Sequence, residues 1–192
     1  ESEELADADQ RMADIIQQHS QRMNAIIENV IQISRRQPPQ AQKLELNEWL
    51  ETYLQDYSTT LRAKPQITLS QTDDPIEVSF DPEHLRRIIS NLLDNALRHA
   101  PGTVAISVQE QGPVVVLHVD DDGDGIAPED RQRIFERFAR TDDARARHLG
   151  GTGLGLAIVA DLIGRYDGEI TAEDSPILGG ARFTVTLPNA RT

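Results

Sequence analysis

The chain has 192 residues, enough for one domain with an appendage or for two small domains, and long enough to bury a substantial core. Its formal charge of -13 and pI near 4.7 argue against nucleic acid and anionic membrane surfaces as primary partners. The absence of cysteine excludes disulfides and thiolate chemistry, and no apolar run approaches the roughly 20 residues of a membrane span.

Residues 1–12 are polar with no hydrophobic signal-peptide centre, and the chain opens at Glu1 without a methionine, so it is expected to be cut from a longer protein. Met12, Ile16, His19, Met23, Ile26, Val30 and Ile33 alternate spacings of four and three, the a/d seam of a coiled coil. The predicted helix over residues 7–36 is about 45 Å long. One helix cannot bury its own seam, so a partner helix is expected. Pro38 and Pro39 end it, and residues 37–45 read as a linker at a domain boundary. Asn47 reads as the N-cap of a helix with Leu50, Tyr53, Leu54, Tyr57 and Leu61 inward and Trp49 in packing; residues 66–70 and 76–80 read as strands.

Asp81-Pro82-Glu83 supplies an N-cap, an N1 proline and an acidic first turn for a helix to about His99, with Leu85, Ile88, Ile89, Leu92, Leu93, Ala96 and Leu97 apolar. On it Asn91 and Asn95 stand four apart on one face, with Arg98 three and His99 four residues further on. Two carboxamides so placed suit a hydrated magnesium ion that takes its other contacts from substrate phosphates, which Arg98 can meet as a fork of donors. For the pair alone the plainer reading, side chains that cap backbone or face water, is favoured.

Residues 103–110 and 114–120 alternate around Gln111-Gly112 as a hairpin that runs into Asp120-Asp-Asp-Gly-Asp-Gly-Ile126. The spacing Asp121-x-Gly123-x-Gly125 sets a carboxylate at a strand end beside two glycines where the backbone can bend and approach a flat ligand. Such a carboxylate can accept a hydrogen bond from an exocyclic amine. Asp120, Asp122, Asp124 and Gly125 also fall at positions 1, 3, 5 and 6 of a calcium loop, but Arg131 stands where a bidentate Glu is required, so calcium is disfavoured. A solvated acidic turn is the bland alternative.

Residues 130–138 read as helical. Residues 141–148, rich in Arg and Asp, read as a loop closing on Gly150-Gly151-Thr152-Gly153-Leu154-Gly155, where a helix resumes from Leu154 to Tyr166. Gly151-x-Gly153-x-Gly155 at a helix start is a phosphate cradle by geometry. No strand precedes it for a dinucleotide fingerprint, and no Gly-Lys-Ser/Thr follows for a P-loop. Residues 168–174 and 181–187 read as a second hairpin around Pro176, Gly179 and Gly180.

In chain order, Asn91-Leu-Leu-Asp-Asn95-Ala, Asp121-x-Gly123-x-Gly125-Ile126, Ile134-Phe-Glu-Arg-Phe138 and Gly151-Thr-Gly-Leu-Gly-Leu156 resemble the N, G1, F and G2 boxes of sensor histidine kinases. The resemblance covers residues 46–188 as a catalytic and ATP-binding domain. It implies an α+β fold of the Bergerat (GHKL) type, a two-layer sandwich with a mixed sheet, preceded by the coiled-coil-like helix. It further implies that Asp121 reads the adenine amine, that Asn95 holds magnesium with Asn91 supporting the same site, that Arg98 meets phosphate and that His99 lines the nucleotide. Gly123, Gly125, Ile126, Phe138, Thr152, Leu154 and Leu156 join the nucleotide-binding set through their boxes. Gly151, Gly153 and Gly155 would hinge a lid and bind phosphate, with Phe135 and Phe138 as lid anchors or, nearly as well, plain core aromatics. Asp120, Asp122 and Asp124 are expected to be solvated.

The helix over residues 7–36 resembles the second helix of the dimerisation and phosphotransfer domain of these kinases, and residues 15–36 resemble in particular kinases that regulate type IV pilus genes. The phosphoacceptor box of the first helix is absent: His19 lacks an acidic neighbour to act as base, and its seam position favours packing. Hydrolytic relatives on this fold carry a Glu one turn before the magnesium Asn. Asn91 stands there, and a carboxamide takes no proton near neutral pH. The resemblance therefore implies γ-phosphoryl transfer from magnesium-ATP to a histidine outside this chain, with Arg137, Arg140 or Arg147 as lid arginines. It also implies relay to a cognate response regulator, a homodimer through the N-terminal helix, and the cytoplasmic portion of an inner-membrane-anchored bacterial sensor, with no nucleic-acid partner. A GHKL-type ATPase and a non-catalytic dimerisation module are the alternatives.

Overall fold

The computed structural model describes Met12, Ser20, Met23 and residues 38–61, 66–139 and 152–190. Met12, Ser20 and Met23 are helical and exposed; the rest of the helix predicted over residues 7–36, His19 included, lies outside the described residues, as do Arg140, Arg147, Gly151 and the 141–148 loop.

The elements are β1 (Gln42–Glu45), α1 (Leu46–Thr60), β2 (Gln66–Gln71), β3 (Glu77–Phe80), α2 (Pro82–His99), β4 (Thr103–Gln111), β5 (Val114–Asp121), a 3-10 turn (Arg133–Phe135), α3 (Gly155–Gly164), β6 (Glu169–Asp174) and β7 (Ala181–Pro188). One sheet runs in the order β2-β4-β5-β7-β6; β2 lies parallel to β4 and the other pairings are antiparallel. A parallel pair needs a crossover, and α2 supplies it. β1 and β3 form a separate antiparallel ribbon.

Alternation in the strands builds the core. Val104, Ile106 and Val108 of β4, Val115, Leu117 and Val119 of β5, and Phe183, Val185 and Leu187 of β7 are all buried, every second residue pointing to the same face. Against that face lie Leu85, Ile88, Ile89, Leu92, Leu93 and Ala96 of α2 and Ile158, Val159, Leu162 and Ile163 of α3, in one cluster. Their spacings of three and four give each helix one apolar stripe, so both lie flat on the sheet. This is the two-layer α+β sandwich with a mixed sheet that the sequence implies.

The most local signals hold to the residue. Asp81 Oδ1 accepts from the Glu83 amide at 3.0 Å, Pro82 opens α2, and Arg98 and His99 occupy its last turn. Three expectations change. Residues 42–45 of the expected linker form β1, which runs without a loop into α1. The α1 cap is therefore Glu45, whose carboxylate accepts from the amides of Asn47 and Glu48 at 3.2 and 2.6 Å. Asn47 is instead buried in the first turn, where Nδ2 donates to the carbonyls of Thr72 and Asp74, each at 3.1 Å, and pins the β2–β3 loop. Residues 130–138 hold only turns and the 3-10 turn, because their three apolar residues, Ile134, Phe135 and Phe138, are too few for a sustained helical stripe.

The α2 cap also holds the chain ahead of the domain, since Asp81 Oδ2 accepts from the Gln40 amide at 2.8 Å. Asp81→Ala is expected to lower the unfolding free energy by about 1–2 kcal/mol. Urea titration would show a lower midpoint at unchanged slope; an unmoved midpoint would mean that the cap contributes nothing.

Candidate functional site

Strand alternation sends Asp120 and Asp121 to opposite faces of β5. Asp121 shares the side of Val119 and the helices and is 2% exposed. Its Oδ1 accepts from the amides of Gly123 and Ala181, each at 3.0 Å, and its carbonyl accepts from the Gly180 amide at 3.2 Å. Burial dominates and pushes its carboxyl above the usual aspartate range, against the opposing pull of the two amides and His99.

The loop beyond it requires glycine for two different reasons. A Cβ at Gly123 would stand 2.7 Å from the His99 carbonyl oxygen, so the loop passes the end of α2 only without a side chain. Gly125 has φ of 76°, the left-handed region that other residues avoid. Arg131 then ties the loop to the sheet edge: Nε donates to the Ile126 carbonyl at 3.1 Å and Nη2 to Asp174 Oδ1 at 2.6 Å.

On α2, Asn91 and Asn95 are half-buried, while Arg98 and His99 are exposed at its end. Asn91 Nδ2 donates to the Arg87 carbonyl at 2.7 Å. Its Oδ1 faces α3, where a Cβ on Gly155 would meet it at 2.8 Å. Tyr57 Oη donates to Asp94 Oδ1 at 2.6 Å, pinning α1 to α2 beside Asn95, and burial raises the Tyr57 hydroxyl far above its ordinary value. Gly155 opens α3, and no side chain caps that first turn; Thr152 Oγ1 accepts from the Leu154 amide at 3.3 Å. Gly153 has φ of 68°, and its carbonyl accepts from Phe138 N at 2.8 Å, which joins the F and G2 stretches.

The structure thus sets Gly123 against the last residue of α2 and Asn91 of the same helix against Gly155 at the start of α3. Several side chains depart from expectation. Leu154 is fully buried in the core, so its side chain packs and does not face a ligand. Ile126 and Leu156 are half-buried against that core. Phe135 meets Phe183 edge-on with centroids 6.4 Å apart, whereas Phe138 is 62% exposed at φ of 65° and is no core aromatic. Asp120 is not solvated, and Asp122 is half-buried. Asp120 is fully buried and accepts from Arg182 Nε at 2.8 Å, and Asp122 accepts from the Gly102 and Thr103 amides at 3.3 and 3.0 Å, which fixes the start of β4. Asp124 alone of the three is exposed.

The sequence reading missed the β6–β7 hairpin as a wall of the site. A Cβ on Gly180 would collide with the carbonyl and carboxylate oxygens of Asp121. The signal for it in the sequence is Gly180, a glycine that marks a close backbone approach as well as a turn. Among the described residues no group of three or more His, Asp or Glu is arranged to hold a metal. A magnesium here would depend on carboxamide oxygens and ligand phosphates, a donor set the half-buried Asn91–Asn95 face can supply. No described helix is long and apolar enough to cross a membrane.

Residues 80–191 match the family described as histidine kinase-, DNA gyrase B-, and HSP90-like ATPase. The whole chain is 36% identical to 36% of the sensor protein kinase PilS of Pseudomonas aeruginosa, and 90% of it is 35% identical to 38% of the sensor histidine kinase CpxA of Escherichia coli. It therefore spans little more than a third of those proteins. Among solved structures, full-length ShkA in complex with AMPPNP superposes with a TM-score of 0.73 at 26% identity, over 86% of this chain and 35% of that one. The mycobacterial sensor histidine kinase MprB gives 0.67 at 27%, over 78% of this chain and 97% of that one.

The raised Asp121 pKa carries a stability prediction. A carboxyl whose folded value is raised contributes stability below its unfolded pKa and loses it as pH rises through the folded value. Asp121→Asn is therefore expected to be more stable than the wild type at neutral pH, with the difference shrinking as pH falls through the Asp121 titration. Thermal unfolding between pH 3 and 8 measures it; a difference independent of pH would contradict the assignment.

Proposed function

The chain belongs to the histidine kinase-, DNA gyrase B- and HSP90-like ATPase family, among its sensor histidine kinases, and from that premise we propose that it is the ATP-binding catalytic part of such a kinase, moving the γ-phosphoryl of magnesium-ATP to a phosphoacceptor histidine outside this chain. The observation that carries the reading is the buried Asp121 carboxylate, held by two amides, together with Asn91 on α2, whose side-chain oxygen faces the uncapped start of α3.

In this reading the adenine amine donates to Asp121. With Oδ1 occupied by two N–H donors, Oδ2 is the oxygen that accepts. The phosphates lie toward the amides of Gly155 and Leu156, where the helix dipole favours negative charge, and Arg98 at the end of α2 adds a forked donor. Gly151, Gly153 and Gly155 serve as hinge and phosphate-binding glycines, with His99 along the nucleotide. Magnesium, when bound, would neutralise phosphate charge; Asn95 would hold it and Asn91 support the same site. Asn91 offers a carboxamide where a general base for water would stand, so transfer is favoured over hydrolysis. That full-length ShkA is solved in complex with AMPPNP supports a nucleotide ligand for this fold.

Residues 42–188 then form the catalytic domain, 37–41 the connection to it, and 1–36 the second helix of a dimerisation hairpin through which the full protein pairs with itself. The phosphoryl group passes on to a cognate response regulator. The full protein holds this portion in the cytoplasm, anchored to the inner membrane by segments outside this sequence.

The test is transfer of phosphate from magnesium-ATP by the purified chain to a separately supplied phosphoacceptor hairpin. Asn95→Ala is expected to lower that transfer by about a hundredfold or more, and full activity in the variant would remove Asn95 from the site. Nucleotide binding without transfer to any acceptor, or steady phosphate release by the chain alone, would contradict the kinase reading.

A further inference from the structure

The sheet face opposite the helices carries a buried ion pair that the phosphotransfer reading does not use. Asp120 is 0% exposed there, and Arg182, its cross-strand partner on β7, meets it with two contacts: Nε to Oδ1 at 2.8 Å and Nη2 to Oδ2 at 3.1 Å. Arg182 also stands opposite Glu173 on β6, yet its fork closes on Asp120. The bidentate geometry fixes a guanidinium in a single orientation.

The same carboxylate holds the hairpin turn. Ser175 Oγ donates to Asp120 Oδ1 at 2.7 Å and accepts from the Leu178 amide at 3.1 Å. The Ser175 amide donates to the Gly180 carbonyl at 2.7 Å, closing the turn on itself. Its far end presents two consecutive amides to the neighbouring residue on β5: Gly180 N to the Asp121 carbonyl at 3.2 Å and Ala181 N to Asp121 Oδ1 at 3.0 Å. Asp120 and Asp121 are adjacent, as are Ala181 and Arg182, so each strand contributes one residue to the ion pair and its neighbour to the carboxylate clamp.

We propose that Arg182 is a positioning residue for base recognition: its ion pair with Asp120 on one sheet face fixes the strand register that aims the Ala181 amide at Asp121 on the other. The inference rests on the adenine reading of Asp121 given above. A β7 end free to slide or fray would release Ala181 N, and Asp121 would turn without a second anchor. Selectivity would suffer before the fold does, because the remaining β5–β7 pairs from Val119↔Phe183 onward bury their own core residues.

The experiment compares ATP and GTP affinity by calorimetry in the intact chain and its Arg182→Ala, Arg182→Lys, Asp120→Asn, Asp121→Asn and Asp121→Asn/Arg182→Ala variants, each first shown to unfold cooperatively. Arg182→Ala and Asp120→Asn are expected to lose about tenfold in ATP-over-GTP preference, the scale of one charge-assisted hydrogen bond. Arg182→Lys, which keeps charge but not the fork, should lose less. The double variant should show no less preference than Asp121→Asn alone, since Arg182 acts through Asp121. Wild-type preference in a folded Asp120→Asn or Arg182→Ala overturns the proposal; where Arg182→Ala does not fold, Asp120→Asn and Arg182→Lys decide. A wild type without any preference would instead overturn the adenine reading itself.

Discussion

A carboxylate taken out of water must be met by donors, and the site is arranged around meeting Asp121. Burying an ionised group without partners costs several kcal/mol, and each charge-assisted hydrogen bond returns part of that. Here the donors come from Gly123 just after the strand and from Ala181, sixty residues on. Both approaches demand closeness. Gly123 passes the last carbonyl of α2, and Gly180 lies against Asp121 itself, so neither position has room for a side chain. The acidic turn is therefore two structures in one: a fixed acceptor at Asp121, flanked by Asp120 and Asp122 that hold strands together.

The same economy of contacts runs along α2. Its stripe of Leu85, Ile88, Ile89, Leu92, Leu93 and Ala96 seats it on the sheet, which turns Asn91 toward the start of α3. Asn91 spends its amide within its own helix and keeps its oxygen toward Gly155. At the other end of that helix Tyr166, just beyond α3, stacks on Phe80 with centroids 3.7 Å apart and contacts His84 Nδ1 at 2.7 Å. α3 is thus held to α2 at both of its own ends, by Asn91 at Gly155 and by His84 at Tyr166, so the spacing of the two helices is set by packing.

What the sequence displays is what local chemistry dictates. The cap, proline and apolar period of α2, the two hairpins, and the order of the four boxes all depend on residues within a few positions of one another, and they are found where expected. Contacts across the sheet are different. That Arg182 meets Asp120 follows from a register set 62 residues apart, for which an outward-facing charge in each strand is the only trace. Glu45 takes the capping role expected of Asn47 because β1 enters α1 with no loop, and that in turn depends on β1 finding β3. Leu154, placed in a phosphate loop by its glycine neighbours, is fully buried because α3 begins beside it and its side chain falls on the core side.

The central claim is that Asp121, steadied by the amides of Gly123 and Ala181, is the atom group that distinguishes one base from another. The most direct measurement follows the backbone amide resonances of those residues while the chain is titrated with magnesium-ATP and, separately, with the inosine analogue, which replaces the exocyclic amine by a carbonyl. The account predicts saturable shifts at Gly123, Gly180 and Ala181 with ATP and much weaker binding of the inosine nucleotide. Equal binding of both, or ATP saturation that leaves those three amides unmoved, would contradict it.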